Sequence, residues 1–242
     1  MTYCVALKLN AGLVLLSDTR TNAGLDNIAT YRKMFFFEEP GERVIAIMTA
    51  CSLSVTQTTI SRLREAIEDP DADERTSIMR CPTMLGVADI VGDALARTRR
   101  EIATQCADLK QSQATASMIV AGQRVGGDMR LFLVYPEGNH IEATEDTPYL
   151  QIGEHKYGKP ILDRVVTPAT SLEDAQKAAL LSMDSTMKSN LSVGMPLDLA
   201  VIERDACRVS AKRRIMPADA QFSAMSDAWS EALRDAFVKM PI

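Results

Sequence analysis

Three residues near the start of the chain have the types and the strand context for nucleophilic catalysis. Thr2 follows Met1 and opens the run Thr2-Tyr-Cys-Val-Ala-Leu-Lys-Leu9; Asp18 ends a second apolar run and Lys33 begins a third. A threonine that becomes the first residue of a chain carries a hydroxyl that attacks and an α-amine that takes its proton. The free α-amine titrates at about 7.7–8.0, so a useful fraction is an unprotonated base near neutral pH. A threonine activated by its own amine is an established form of nucleophile. Taken singly, each residue has an ordinary reading: Thr2 as the residue after the start, Asp18 as a turn acid before Arg20, Lys33 as a solvated strand-edge lysine. Their joint occurrence at strand ends is what points to chemistry. His140 and His155 are the only histidines, so a Ser-His-Asp or Cys-His arrangement would need one of them. His140 follows the turn sequence Pro136-Glu-Gly-Asn139 and His155 lies between Glu154 and Lys156, so both read as solvated surface residues.

The elements that would carry these residues are legible from periodicity. Residues 3–9 and 12–18 are apolar strands joined by the turn Asn10-Ala11-Gly12. Residues 21–32 are polar and read as a loop. Strands at 33–38 and 43–50 flank Pro40-Gly41. Leu53, Thr56, Ile60, Leu63 and Ile67 recur at helical spacing over residues 52–67. A longer helix starts after Cys81-Pro-Thr83, with Met84, Val87, Val91, Leu95, Thr98, Ile102, Cys106 and Leu109 as its buried stripe. Strands return at 115–123, 130–136, 140–144 and 148–152, followed by a short helix at 156–165. A longer helix covers 171–189, opened by the capping box Ser171-Leu-Glu-Asp174. Strands at 197–203 and 207–214 and a C-terminal helix with Phe222, Met225, Trp229, Leu233 and Phe237 complete the chain, those apolar residues being core or subunit-contact positions. This order predicts an α+β fold: two antiparallel sheets face to face with helices outside, a four-layer α-β-β-α sandwich.

The 242 residues suit one large core, burying roughly 72% of the unfolded chain's surface. No linker or composition break divides them, so residues 1–242 are expected to form a single domain. Hydrophobic residues are 46% and charged residues 24%, as in ordinary soluble proteins. A net charge of −5 argues against a nucleic-acid partner or an anionic membrane surface. Cys4, Cys51, Cys81, Cys106 and Cys207 are odd in number and widely spaced, without a CxxC. That pattern suits a reducing compartment and no structural metal. No signal peptide and no run approaching 18 apolar residues is seen, so a cytoplasmic protein is expected.

At this point the residues resemble a known family. Thr2, the run Leu15-Leu-Ser-Asp18-Thr-Arg20-Thr-Asn-Ala-Gly24, Lys33, Met48-Thr-Ala50, Ile119-Val-Ala-Gly122 and Leu197-Asp-Leu-Ala-Val-Ile202 look like a proteasome-type β subunit, one of the N-terminal nucleophile hydrolases. The segments Thr30-Tyr-Arg-Lys-Met34, Gln151–Arg164 and Lys188-Ser-Asn-Leu-Ser-Val-Gly194 are similar to its bacterial Anbu (ancestral β-subunit) branch. The resemblance covers nearly the whole chain. It implies that Thr2 is the nucleophile once Met1 is removed, that Lys33 sits beside the hydroxyl to favour the alkoxide and keep the amine from protonating, and that Asp18 holds Lys33 in place. It implies an oxyanion-binding backbone amide at Cys51, where the family carries glycine, and a small, fairly polar substrate pocket formed by Thr21, Asn22 and Thr49. Arg20 becomes a wall or sheet-end residue rather than a catalytic one. Where the family places a serine near the nucleophile this chain has Glu154 after Gly153, and where many members place an aspartate it has Ser189, with Ser192 following. Glu154 then either restores negative charge near the nucleophile or points to solvent.

The resemblance implies a threonine-type peptidase that works within a homo-oligomer, a ring or an open spiral, on peptide or unfolded protein, with no cofactor. Helices 52–67 and 84–110 and the C-terminal aromatics would supply subunit contacts. No ATPase-docking tail is evident. Two alternatives stand beside this: an assembly-forming scaffold with weak or partner-dependent turnover, and a hydrolase of a small non-protein amide.

Overall fold

The computed structural model describes residues 2–22, 28–105 and 114–241. β1 (Tyr3–Leu9) and β2 (Gly12–Asp18) form a hairpin in which Cys4 faces Ser17 and Leu9 faces Gly12. A three-residue ribbon follows, β3 (Arg20–Asn22) paired with β4 (Ile28–Thr30), so the expected loop at 21–32 is partly strand. Strands this short, in polar sequence, carry no detectable alternation. Next come β5 (Met34–Glu39) and β6 (Arg43–Cys51), then α1 (Leu53–Glu68) and α2 (Met84–Gln105). β7 (Ala116–Arg124), β8 (Arg130–Val134), β9 (His140–Glu142) and β10 (Tyr149–Gly153) lead into α3 (Lys159–Val165) and α4 (Leu172–Ser189). The chain ends with β11 (Leu197–Glu203), β12 (Ala211–Ile215) and α5 (Ala220–Lys239).

The strands build two antiparallel sheets, ordered β10-β1-β2-β11-β12 and β5-β6-β7-β8-β9. Alternation along each strand divides the core into three layers of side chains. On β1 and β2, Val5, Leu7, Val14 and Leu16 pack against α3, α4 and the start of α5, while Cys4, Ala6, Leu13 and Leu15 point at the other sheet. On β6, Ile45 and Ile47 meet α1 and α2, while Val44, Ala46, Met48 and Ala50 point inward. The central strands are buried on both faces, which is why they read as continuous apolar runs. The result is the expected four-layer α-β-β-α sandwich.

Helix starts follow local chemistry. The Ser171 hydroxyl accepts the Asp174 N–H at 3.1 Å, as its capping box predicts, and the Thr83 hydroxyl accepts the Gly86 N–H at 3.0 Å. Pro160 in the first turn of α3 delays that helix to Lys159, three residues later than the pattern suggests. In α2, Met84, Val87, Val91, Leu95 and Thr98 are buried; Cys106 and Leu109 lie outside the described residues. His140 departs from expectation. It opens β9, sets its ring edge-on against Phe132, and places Nε2 2.9 Å from an Asp89 carboxylate oxygen, so it is half-buried rather than solvated. His155 is exposed, as expected. Among the described residues, no helix is long and apolar enough to cross a membrane.

Candidate active site

The ends of β1, β2 and β6 and the entry to β5 meet at one end of the sandwich. Thr2 immediately precedes β1 and is buried. Its carbonyl accepts the Glu154 N–H at 2.7 Å, just past β10. This close approach depends on Gly153: its φ is +82°, and a Cβ there would stand 1.9 Å from the Thr2 carbonyl oxygen. Met1 lies outside the described residues.

Asp18 ends β2 with no exposed surface. One carboxylate oxygen accepts Lys33 Nζ at 2.7 Å and the Tyr3 N–H at 3.1 Å; the other accepts the Gly194 N–H at 3.4 Å. Lys33, also buried, donates a second bond from Nζ to the Arg20 carbonyl at 2.7 Å. Its own carbonyl accepts the Thr49 N–H at 2.9 Å, tying the entry of β5 to the end of β6. The lysine is thus aimed from both ends. Burial pushes the Asp18 carboxyl above its ordinary range, while the Lys33 charge and the donated hydrogen bonds pull it back down. Next to Thr2, burial likewise raises the Tyr3 hydroxyl, which is held by Ser182 and Gln151, each at 2.6 Å.

Cys51 closes β6 opposite Ala116. Its φ is +78°, the left-handed region that favours glycine, and its side chain is exposed. The backbone therefore keeps a glycine-type geometry where the sequence supplies a cysteine. Thr49 is buried and its carbonyl lies 3.7 Å from Cys4 Sγ; Thr21 sits half-buried on β3 opposite Ala29. The side chain of Asn22 lies outside the described residues.

Ser189 is the exposed last residue of α4, and among the described residues neither its hydroxyl nor that of Ser192 bonds Thr2, Asp18 or Lys33. Glu154 is half-buried, and among the described residues its carboxylate makes no hydrogen bond to Thr2, Asp18 or Lys33. It accepts the Asn190 side-chain amide at 3.1 Å, and Asn190 in turn accepts the Ser192 N–H at 3.0 Å. This pair fastens the end of β10 to the exit of α4. Asn190, Gly194 and the Arg20 carbonyl were not singled out from sequence. Arg20 Nη1 donates to the Leu191 carbonyl at 2.9 Å, and its guanidinium fills space that a Cβ on Gly194 would occupy. The segment 190–194 is thereby bound to Asp18, Arg20 and Glu154 together. Among the described residues, no group of three or more His, Cys, Asp or Glu side chains could hold a metal ion.

This arrangement can do one kind of chemistry well. Lys33 Nζ is held by the Asp18 carboxylate and the Arg20 carbonyl, Asp18 also holds the N–H of the residue after Thr2, and the strand-end amide of Cys51 is set by an unusual backbone angle. Preorganised groups of this kind stabilise developing negative charge without reorganising during the reaction.

A scan against protein-family models and a search of curated proteins return no match. Solved structures do match. An Anbu (Gly-1) mutant from Hyphomicrobium sp. strain MC1 is 48% identical with a TM-score of 0.93, over 100% of this chain and 99% of that chain. Anbu (ancestral β-subunit) from Yersinia bercovieri is 40% identical with a TM-score of 0.91, over 99% of this chain and 98% of that one. The Anbu complex from Pseudomonas aeruginosa, solved as a helical assembly, is 42% identical with a TM-score of 0.91, over 99% and 97%.

Proposed function

The chain belongs to the Anbu (ancestral β-subunit) family of proteasome-type subunits, and from that premise we propose that it is a threonine-type amide hydrolase acting on peptide bonds within a homo-oligomer. The observation that carries this reading is the buried pair of Lys33 and Asp18 at 2.7 Å, with Asp18 also accepting the N–H of Tyr3, the residue after Thr2. After Met1 is removed, the Thr2 hydroxyl attacks the substrate carbonyl and its proton passes to the α-amine. The C–N bond breaks, the leaving amine takes that proton, and an ester to Thr2 remains. Water activated by the α-amine then hydrolyses the ester. Lys33 supplies positive charge at the developing alkoxide, Asp18 fixes Lys33, and the Cys51 N–H is the oxyanion donor. Thr21, Asn22 and Thr49 receive the residue before the cut. No cofactor takes part.

The helical assembly of the P. aeruginosa relative supports a homo-oligomer of this chain, open or closed. Among the described residues Cys4, Cys51, Cys81 and Cys207 form no disulfide, which fits a reducing setting. A second reading, a small non-protein amide as substrate, is favoured by Cys51: its Cβ and thiol occupy space that glycine leaves open at the oxyanion position. Turnover of short fluorogenic peptides, of an unfolded protein and of simple aminoacyl amides, each compared with Thr2→Ala, tests both. Peptide hydrolysis lost in Thr2→Ala supports the first reading. Activity on aminoacyl amides alone moves the assignment to the second, and activity unchanged in Thr2→Ala overturns both.

A further inference from the structure

Glu154 bonds Thr2 through its backbone and the far side of the site through its side chain. Its N–H donates to the Thr2 carbonyl at 2.7 Å, and its carboxylate accepts the Asn190 side-chain amide at 3.1 Å. Asn190 caps the exit of α4, its own N–H donating to the Thr186 carbonyl at 2.8 Å. Its side-chain oxygen accepts the Ser192 N–H at 3.0 Å, and its carbonyl accepts the Val193 N–H at 3.1 Å. An asparagine oxygen that accepts the N–H two residues on folds the chain into a turn. Both ends of the Asn190 amide are therefore in use. One shapes the turn and the other fastens it to the end of β10.

That turn is what reaches the ion pair. The Leu191 carbonyl accepts Arg20 Nη1 at 2.9 Å, and the Gly194 N–H donates to Asp18 at 3.4 Å. The Arg20 carbonyl accepts Lys33 Nζ, and the other Asp18 oxygen holds both Lys33 Nζ and the Tyr3 N–H. The bonds close a ring: Thr2 to Glu154, Glu154 to Asn190, the turn to Asp18, and Asp18 back to the residue after Thr2. Core packing holds the turn at Val193. Leu191 is 84% exposed, so packing does little at the other end, and there the Glu154–Asn190 bond is the tether.

We propose that Asn190 and Glu154 are positioning residues, whose hydrogen bond sets the turn 190–194, and through it Asp18, Arg20 and Lys33, in register with Thr2. The proposal rests on the reading of Thr2 as the nucleophile of an amide hydrolase. Among the described residues neither side chain bonds Thr2, Asp18 or Lys33, so neither acts on the reacting atoms directly. Glu154 works here as a hydrogen-bond acceptor and its charge is incidental. Glu154→Gln keeps an oxygen that accepts the Asn190 amide, whereas Glu154→Ala and Asn190→Ala each remove the bond.

Turnover of the full chain on short fluorogenic peptides and on aminoacyl amides tests it, with Thr2→Ala as background and circular dichroism and urea midpoints as the check on folding. Displacing a catalytic group by about 1 Å can cost about 10²-fold, so Asn190→Ala and Glu154→Ala should lower kcat by about 10–100-fold with KM within about twofold. Glu154→Gln should keep kcat within about threefold, and the double alanine variant should cost no more than either single one, because one bond is removed in all three. A folded Asn190→Ala with the natural kcat overturns the proposal and leaves the hydrolase reading standing. So does a loss that only follows the fraction of folded chain. Glu154→Gln falling as far as Glu154→Ala overturns it too, since Glu154 would then act through its charge. A natural chain without turnover above Thr2→Ala removes the reading and the proposal together. If Asn190→Ala does not fold, the comparison of Glu154→Gln with Glu154→Ala decides.

Discussion

The backbone at Cys51 sets up the most discriminating perturbation. A residue with a Cβ at φ +78° carries a steric cost of about 1–2 kcal/mol relative to glycine. Cys51→Gly removes that cost and adds back about 0.4–1 kcal/mol of chain entropy in the unfolded state. Taking midpoints, the variant is more stable by about 0.8 kcal/mol. In a chain of this size 1 kcal/mol moves Tm by about 2–4 °C, so a rise of about 2–3 °C is expected. Cys51→Ala keeps the backbone angle and a Cβ, and the exposed thiol contributes little packing, so its Tm should stay within about 1 °C of the natural chain. Cys51→Val places a β-branched side chain at the same angle and should lower Tm. All three keep the N–H that would bind the oxyanion, so turnover in Cys51→Gly and Cys51→Ala should hold within about threefold, whereas loss of an oxyanion donor costs on the order of 10²–10³. Scanning calorimetry together with peptide turnover reads the series. A fall in Tm for Cys51→Gly, or equal Tm values for the alanine and valine variants, would refute the strain argument.

Three further outcomes follow from the same geometry. Lys33→Met leaves the Asp18 carboxylate buried without its cation and should lower stability by about 3–5 kcal/mol, reduced if Asp18 takes up a proton; Asp18→Asn/Lys33→Met should recover most of the loss, as urea midpoints will show. Because burial raises Asp18, the acid limb of kcat/KM should lie above the free-carboxylate value of about 3.9 and vanish in Asp18→Asn. Within the window between the ordinary and folded values the folded chain keeps a proton that the unfolded chain has released. Asp18's contribution to stability therefore falls as pH rises through that window and is level above it, which urea midpoints of the two proteins across pH will reveal. Gly153→Ala drives a Cβ to within 1.9 Å of the Thr2 carbonyl oxygen and should cut kcat by about 10²-fold through misplacement of Thr2, measured alongside Tm.

Much of this arrangement is legible in sequence because it is local or periodic. The two-sided burial of β1, β2 and β6 shows as unbroken apolar runs, and the Ser171 cap shows as a four-residue pattern. Thr2, Asp18 and Lys33 stand out as a set because strand ends place them, and the structure brings Asp18 and Lys33 into direct contact. What escapes the sequence depends on distant chain segments. Glu154 finds Asn190 across 36 positions, a pairing no local pattern encodes. Gly194 reaches Asp18 from the far side of the fold in the same way. The positive φ at Cys51 is a property of how β6 ends, and its only trace is a family glycine expected at that place. The C-terminal stripe reads equally well as core or as subunit contact, because periodicity records which face is apolar and not what covers it.

The central claim is that Thr2 offers a free amine and a reactive hydroxyl on one residue. Intact-mass spectrometry after incubation with a peptide epoxyketone tests it most directly, since that warhead closes a stable ring only with both groups. A stoichiometric adduct mapped to Thr2, on a chain lacking Met1, is the predicted result. A chain that lacks Met1 and forms no adduct would contradict the account.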